Sequence, residues 1–531
     1  MVGLSYVTFS KSSLAGSTPQ VATQQGVLEG VHDGKSFTFK GIRYAQARRF
    51  MPPEPPEGWS GVREAKTFGA SAPQTNASPP PGPPYVILAQ LPRPANAPPP
   101  TPLPESEDCQ FLNIWTGSLD ASAKKPVMVW LHGGFFYGGN GSTVDGSALA
   151  GNGSAVVVSL NHRLNAFGFT DLRDYGAEFS HSGNVGMLDI IAALRWIREN
   201  IEAFGGDPER VMVFGTSGGG MKTAFLMASP AARGLFHRAA AQSGPGLRMM
   251  EVGQARRATA MLFREVGLAE GDVAGLQALS TAELLAGYHA VAAKMKPARF
   301  IDLPCFAPVL HPDLLPAHPF SPEAARLTRD YPMIMGWNAQ EMSFFMGNDP
   351  EGFELDEAGL EARAADLLGG VAPAALDIYR RTLPDASPSR QWIQMNSDYS
   401  IMLPTIAQAN RRVEAGSAPS WVYRLDWQSP ALGGKLGALH TMEGSLLFNT
   451  PAAGKALLGE GPQVDALAAQ MSSAWASLAS AGDPNAEATG LPHWPQWDTA
   501  SEPIMAFGAS SAVENHPAEE ARKAMAALLA S

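Results

Sequence analysis

The residues V-F-G-T-S-G-G-G-M-K at 213–222 constrain the fold of this chain more than any other stretch. Glycine loses the most backbone freedom on folding, so four glycines around one hydroxyl, that of Ser217, need a steric reason. The apolar run V-M-V-F at 211–214 predicts a buried strand, and M-K-T-A-F-L-M-A at 221–228 predicts a helix. Strand, glycine turn and helix form the setting of a nucleophile elbow, in which side chains at the flanking glycines would collide with neighbouring backbone. The alternative is a chance G-x-S-x-G in a chain that has 54 glycines.

The bulk composition excludes several classes of function. The chain has 531 residues, of which 45% are hydrophobic and 17% charged, and these values are ordinary for a globular protein. A formal net charge of -11 without a basic cluster argues against nucleic acid as a partner. No apolar run approaches the roughly 18 residues of a membrane span. The N-terminal stretch lacks the basic start and apolar core of a signal peptide, so we expect a cytoplasmic protein, or a secreted or periplasmic one if a signal peptide was removed.

Strand and helix patterns alternate along the chain. Apolar runs at 126–131 and 155–160 predict strands, and apolar positions at helical spacing predict a helix at 187–200. Such alternation indicates an α/β domain with a largely parallel sheet, in which reactive residues sit at the carboxyl ends of strands. We expect one domain over 1–531. Its proline-rich segment at about 79–104 is expected to be a surface loop with polyproline character, the alternative being a partner-docking segment.

A serine nucleophile needs a base, an acid that orients the base, and donors for the oxyanion of the tetrahedral intermediate. The stretch L-H-G-G-F-F-Y-G-G at 131–139 follows a predicted strand. Its glycines would let backbone N–H groups point into a site at the strand end. The alternative is an ordinary strand-end loop with a glycine turn.

Several long motifs, in one order, carry a resemblance to a known family. They are S-E-D-C-Q-F-L-N-I-W at 106–115, G-N-V-G-M-L-D at 183–189, F-G-G-D-P-E-R-V at 204–211 and W-A-S-L-A-S-A-G-D-P-N at 475–485. With these the chain resembles the type-B carboxylesterases, the α/β-hydrolase family that includes the cholinesterases and the p-nitrobenzyl esterases. The resemblance covers nearly the whole chain. It implies a mostly parallel sheet with helices on both faces and large loop or helical insertions over the active site.

The resemblance implies a catalytic triad. Ser217 would be the nucleophile, Glu341 in G-W-N-A-Q-E at 336–341 the acid, and His440 in G-A-L-H-T-M-E at 437–443 the base. The chain order of serine, acid and histidine is that of the fold. Without the resemblance, Glu341 would be interpreted as a solvated loop carboxylate.

The resemblance also implies an oxyanion hole, made by the backbone N–H groups of Gly134, Phe135 and Gly218. The family usually has glycine or alanine at position 135 and alanine at position 218, so this chain departs from the pattern at both. The phenyl ring of Phe135 would either narrow the acyl pocket or pack beneath the loop. Met342 stands where the family has a glycine, which puts the local turn in doubt but not the acid.

These residues imply a serine carboxylesterase that works through an acyl-enzyme, needs no metal or cofactor, and takes a small-molecule ester as a monomer or homodimer. Alternatives are an amide or carbamate hydrolase of the same fold and a non-catalytic adhesion module, which the intact triad argues against.

Thr216 stands where the family usually has glutamate, so we expect neutral or anionic esters rather than choline esters. Ser243 is expected to satisfy buried hydrogen bonds rather than to react.

The cysteine pattern bears on the compartment. Secreted members of the family pair the cysteine of E-D-C, here Cys109, with a cysteine whose place is taken here by Ala72. Cys109 and Cys305 are therefore both expected to be buried thiols, which favours a reducing compartment or a fold that needs no disulfide.

The resemblance further implies two structural ion pairs, Arg49 with Glu107 and Arg163 with Asp189.

Overall fold

The structure, a computed structural model, describes residues 18–74, 103–297, 302–486 and 490–530. The proline-rich segment predicted as a surface loop lies outside these residues except for positions 103 and 104. Among the helices within these ranges, none combines the length and the apolar character that a membrane crossing requires.

The described ranges contain short strands and helices in alternation. The strands are β1 (Gln20–Ala22), β2 (Val27–Glu29), β3 (Val31–His32), β4 (Phe37–Arg43), β5 (Val62–Glu64), β6 (Phe111–Thr116), β7 (Lys125–Trp130), β8 (Val156–Leu160), β9 (Gly206–Thr216), β10 (Arg238–Gln242), β11 (Met333–Asn338), β12 (Ser420–Leu425), β13 (Pro503–Phe507) and β14 (Ala512–Asn515). The helices are α1 (Ser147–Gly151), α2 (Asn165–Phe169), α3 (Val185–Asn200), α4 (Gly218–Ala228), α5 (Val252–Glu265), α6 (Val273–Ala278), α7 (Thr281–Lys294), α8 (Ala325–Thr328), α9 (Glu357–Leu368), α10 (Ala372–Thr382), α11 (Pro388–Ser397), α12 (Leu403–Glu414), α13 (Gly444–Leu447), α14 (Lys455–Leu458), α15 (Pro462–Ala481) and α16 (Glu519–Ala530).

The predicted strands at 126–131 and 155–160 correspond to β7 and β8, and the predicted helix at 187–200 to α3. Within the described part of the chain, eleven strands form one sheet in the order β14-β13-β12-β11-β10-β9-β7-β8-β6-β4-β3. The strands from β13 to β8 in that order run parallel, and the strands at both edges are antiparallel. A second, small sheet contains β1, β2 and β5. The predicted α/β fold with a mostly parallel sheet is confirmed.

Side chains of the central strand β9 alternate between the two faces of the large sheet. Val211 and Val213 belong to the apolar core that includes helix α3, whereas Met212 and Phe214 belong to the core that includes helix α15. Both faces of β9 are therefore buried, which is why its sequence is a continuous apolar run rather than an alternating one.

The carboxyl ends of the parallel strands lie side by side along one border of the sheet, here called the sheet edge, which is distinct from the outermost strands. The glycine loop, residues 131–139, follows β7, and Ser217 follows β9 directly. Glu341 lies three residues after β11, and the segment that carries His440 follows β12. Residues that are up to 309 positions apart in sequence are thus brought to the same edge.

Both implied ion pairs are present. Arg49 pairs with Glu107, and buried Arg163 donates two hydrogen bonds of 2.7 and 2.8 Å to the carboxylate of Asp189. Ala72 and Cys109 lie in one small buried cluster with Leu164, so apolar contact fills the place of the family's disulfide. Cys109 and Cys305 are both buried and free thiols.

Candidate active site

Ser217 occupies a sharp turn between strand β9 and helix α4. Its backbone angles, φ 60° and ψ -123°, are uncommon for a residue with a side chain. A Cβ atom at Gly215 would lie 2.2 Å from the Leu131 carbonyl oxygen, and one at Gly219 would lie 2.0 Å from the same oxygen. Larger residues are therefore excluded on both sides of the serine, as the sequence predicts. Ser217 is 8% exposed and lines a cavity at the sheet edge.

His440 lines the same cavity and is held from behind by Glu341. The Nδ1–H group of His440 donates to Oε2 of Glu341 at 2.5 Å, and both side chains are buried. The other oxygen of Glu341, Oε1, accepts from the backbone N–H of Asn338 at 2.7 Å. This arrangement fixes the imidazole with Nδ1 as the donor and leaves the Nε2 edge for proton transfer. It is the orientation that a general base beside a serine needs.

A second buried carboxylate, Glu443, lies behind the turn and has no counterpart in the sequence prediction. One oxygen accepts from the Thr216 hydroxyl at 2.7 Å, and the other accepts from the Asn338 side-chain amide at 2.8 Å. Burial, followed by the charge of Glu341, raises the pKa of Glu443 above its ordinary value. The only sequence signal was its place three residues after His440, because its partners are more than 100 positions away.

The three residues implied for the oxyanion hole also meet at this edge. Gly134 and Phe135 line the cavity and have positive φ angles of 83° and 49°. Gly218 begins helix α4, where the first amide groups have no partner within the helix. Phe135 lines the cavity, and its ring stacks on that of Tyr137, another lining residue, with ring centres 5.7 Å apart, which favours the pocket-narrowing alternative over packing beneath the loop.

Phe135 and Gly218, the two residues of the implied oxyanion hole that depart from the family pattern, lie in close contact. A Cβ atom at Gly218 would lie 2.4 Å from the carbonyl oxygen of Phe135 and 2.5 Å from its N and Cα atoms. The backbone of Phe135 therefore occupies the place of the alanine methyl group that the family usually has at position 218. In this chain only glycine fits there.

Replacing Gly218 by alanine is expected to lower kcat about 100- to 1,000-fold while KM changes little, since that is the usual loss when one oxyanion donor is displaced. The methyl group would push the Phe135 backbone, and with it the amide, away from the serine. Steady-state kinetics with a p-nitrophenyl ester and a melting curve for each variant provide the measurement.

A double variant serves as the matched control for this prediction. Phe135→Gly together with Gly218→Ala restores the pairing usual in the family. Glycine at position 135 gives the loop backbone the freedom to make room for the methyl group, so we expect the double variant to recover most of the kcat that Gly218→Ala loses. Such non-additivity is typical of residues in direct contact. A Gly218→Ala enzyme with wild-type kcat, or losses that simply add, would contradict the coupling.

The cavity in front of Ser217 has a volume of about 990 Å³, and several aromatic residues contribute to its walls. The aromatic residues that line it are Phe68, Trp115, Trp130, Phe135, Tyr137, Phe344, Phe345 and Phe448. Among the described residues, two charged side chains apart from the histidines also line it. Lys40 is half-buried, with its ammonium 4.4 Å from the centre of the Phe68 ring, and Asp145 is exposed.

Ser243 is buried near the elbow, but its hydroxyl has no hydrogen-bond partner among the described residues. The expectation that this hydroxyl satisfies buried hydrogen bonds is therefore wrong. The Ser243 backbone N–H instead donates to the Gly336 carbonyl at 2.8 Å, and φ is 51°. Ser243 is not among the residues that line the cavity of Ser217.

One group in the described ranges has the donor types of a metal site. His181, His311 and Asp313 place ligand atoms within 4.8 Å of one another. The Nδ1 atom of His311 accepts from the backbone N–H of Asp313 at 3.1 Å, and its ring also bonds to the backbone of Ser180. Since the His311 ring already bonds to two backbone groups, we assign the group no metal.

Comparisons with known proteins agree with this geometry. The model of the carboxylesterase family matches residues 17–525. The chain is 34% identical to the para-nitrobenzyl esterase of Bacillus subtilis over 95% of this chain and 97% of that protein. It is 31% identical to the phenmedipham hydrolase of Pseudarthrobacter oxydans, over 92% and 95% of the two chains. Among solved structures, the carboxylesterase Est55 of Geobacillus stearothermophilus superposes with a TM-score of 0.79 at 33% identity, covering 95% and 99%.

Proposed function

Since the chain belongs to the carboxylesterase family and is a carboxylic ester hydrolase, we propose that it works through an acyl-enzyme formed on Ser217. Ser217 Oγ attacks the ester carbonyl carbon while its proton passes to His440, and Glu341 stabilises the imidazolium that results. The carbonyl oxygen, now negative, accepts from the N–H groups of Gly134, Phe135 and Gly218. The alcohol leaves with the proton from His440, and a water molecule repeats the sequence to release the acid.

The observation that carries this proposal is the bond between His440 and Glu341 at the wall of the cavity that Ser217 lines. A buried glutamate on the far side of the ring favours the imidazolium that forms when the serine proton is taken up. The family match alone would not identify these side chains, because it covers the whole chain rather than a site.

The walls of the cavity support a substrate class. A large aromatic surface favours esters with at least one bulky apolar or aromatic group, because apolar contact supplies most of the binding energy in such pockets. Half-buried Lys40 adds a positive charge to one wall, while the charge of exposed Asp145 is more strongly screened by solvent. We therefore propose neutral or anionic esters as the preferred substrates.

Thr216 supports the same preference from the side of the nucleophile. Its hydroxyl bonds to Glu443, which is not a lining residue, so the carboxylate of Glu443 lies behind the threonine and not in the cavity wall. Burial, followed by the charge of Glu341, also raises the pKa of Glu443, which disfavours the charged form of this carboxylate behind Thr216.

A matched pair of substrates tests the proposal. Butyrylcholine and 3,3-dimethylbutyl butyrate have the same shape, but only the first is charged. We expect kcat/KM to favour the neutral ester by about tenfold or more, because burying a cation without a partner is costly. Thr216→Glu should shift this ratio toward the choline ester by roughly 1–3 kcal/mol, the attraction of a charge at about 6 Å.

Thr216→Gln is the control, because it adds the same bulk without the charge. Both variants are measured at pH 8, since nearby Glu443 should raise the pKa of an introduced carboxylate. A wild-type enzyme that prefers butyrylcholine, or equal ratios for the glutamate and glutamine variants, would contradict the preference.

A further inference from the structure

Lys222 is a fully buried lysine that the mechanism above does not use. It lies on helix α4, five residues after Ser217, and its exposed fraction is 0%. The ammonium donates a hydrogen bond of 2.8 Å to the backbone carbonyl of His132, in the glycine loop. It also lies 5.8 Å from the centre of the Phe136 ring, in the same loop. The lysine thus joins the helix behind the nucleophile to the glycine loop.

Keeping a lysine here is costly. Burial lowers the pKa of Lys222 to about 7, and no carboxylate among the described residues forms an ion pair with it. The nearby rings of His132 and His162 stack with centres 4.9 Å apart. Burial, followed by the charge of Lys222, holds the pKa of both rings well below the ordinary value. These neutral histidines therefore give the Lys222 ammonium no compensating negative charge. A buried lysine that destabilises the folded state without such a partner suggests a functional role.

The glycine loop indicates this role, because its backbone is strained. Phe135 has a left-handed φ angle of 49°, which a residue with a side chain keeps only where surrounding contacts enforce it. The peptide unit is planar, so a bond to the His132 carbonyl also fixes the direction of the next amide, that of Gly133. Two amides of the proposed oxyanion hole follow immediately in the chain.

We propose that Lys222 is a positioning residue, whose hydrogen bond to the His132 carbonyl holds the amides of Gly134 and Phe135 where the oxyanion develops. This inference rests on the proposed function. It predicts that Lys222 stabilises the transition state and not the bound ester.

A trifluoromethyl ketone reports on this difference. Ser217 Oγ adds to its carbonyl carbon, the serine proton passes to His440, and the carbonyl electron pair becomes an oxyanion. The matched methyl ketone binds without stable addition.

Lys222→Met is the principal variant, because methionine keeps the length and removes the donor. We expect kcat to fall about 10- to 100-fold with KM within threefold of wild type, as misplacement of a catalytic group by about 1 Å would do. Affinity for the trifluoromethyl ketone should fall in parallel, while affinity for the methyl ketone stays the same. A melting curve checks that the variant is folded, because removing the lysine relieves the cost of its burial but leaves the His132 carbonyl without its donor. Thr223→Val is the control, since among the described residues the Thr223 hydroxyl bonds only to the Gly219 carbonyl of its own helix, at 3.0 Å.

A folded Lys222→Met enzyme with kcat within threefold of wild type, or with equal losses for both ketones, would overturn the inference. If that variant does not fold, Lys222→Gln decides, because its shorter amide cannot place a donor at the same point. The glutamine variant must then lose at least threefold in trifluoromethyl ketone affinity and keep its methyl ketone affinity, and an unchanged ratio overturns the inference. Activity in Ser217→Ala would instead refute the proposed function itself, so the two failures are distinguishable.

Discussion

Replacing Ser217 by alanine is expected to lower kcat/KM for a p-nitrophenyl ester by about 10⁴-fold or more, the usual consequence of losing a triad member. The side chain is almost fully buried at the end of β9, where the walls of the cavity admit an ester carbonyl. Alanine adopts the same strained backbone angles as serine, so we expect the variant to fold. Kinetics on the purified variant, with a melting curve beside the wild type, provide the measurement.

Ser243→Ala is the matched control for this variant. Ser243 is a second buried serine near the elbow, and its hydroxyl bonds to no described residue, so its removal should leave kcat/KM within about threefold of wild type, as for most substitutions that break no named interaction. Near-normal turnover in a folded Ser217→Ala enzyme, or loss of activity in Ser243→Ala alone, would refute the assignment of the nucleophile.

The second large effect is expected for Glu341→Gln, with a fall in kcat of about 10³- to 10⁴-fold. Both oxygens of Glu341 accept hydrogen bonds, one from His440 Nδ1–H and one from the Asn338 backbone N–H. A glutamine has one oxygen, so its NH₂ group must face one of these two donors. The imidazole then turns or changes tautomer, and the imidazolium loses its counter-charge.

Glu443→Gln tests whether the loss of any buried carboxylate near His440 lowers kcat, or only the loss of Glu341. Glu443 is equally buried, but its partners are the Thr216 hydroxyl and the Asn338 side-chain amide. The hydroxyl can rotate to accept from the new NH₂ group, so glutamine keeps both hydrogen bonds. We expect kcat within about tenfold of wild type, as for a neutral replacement that leaves no buried group unpaired. If Glu443→Gln loses as much activity as Glu341→Gln, then Glu341 is not the specific acid.

The sequence was sufficient for the features that depend on local pattern. The apolar run before Ser217 and the glycines around it predicted the strand, the turn and the helix, because a buried parallel strand and a sharp turn leave few residue types possible. The strands at 126–131 and 155–160 and the helix at 187–200 were predicted for the same reason. The positions of Glu341 and His440, by contrast, came from the family resemblance.

Contacts between distant segments could not be predicted. Thr216 and Glu443 are 227 positions apart, and neither residue type by itself indicates a partner. Phe135 and Gly218 were each recognised as departures from the family, but their compensation depends on a close backbone approach that only coordinates reveal. Lys222 occupies a position where a helical pattern tolerates any good helix former, so its burial beneath the glycine loop left no trace in the sequence.

The most direct measurement identifies the serine that becomes covalently modified. After reaction with a serine-directed organophosphate, trypsin cuts after Arg210 and Lys222 and releases peptide 211–222, whose only serine is Ser217. Ser243 falls in a different tryptic peptide, 239–248. We expect one added phosphoryl group per chain, on peptide 211–222, in proportion to the activity lost. Complete inactivation with the label on peptide 239–248, or with peptide 211–222 unmodified, would contradict an acyl-enzyme on Ser217.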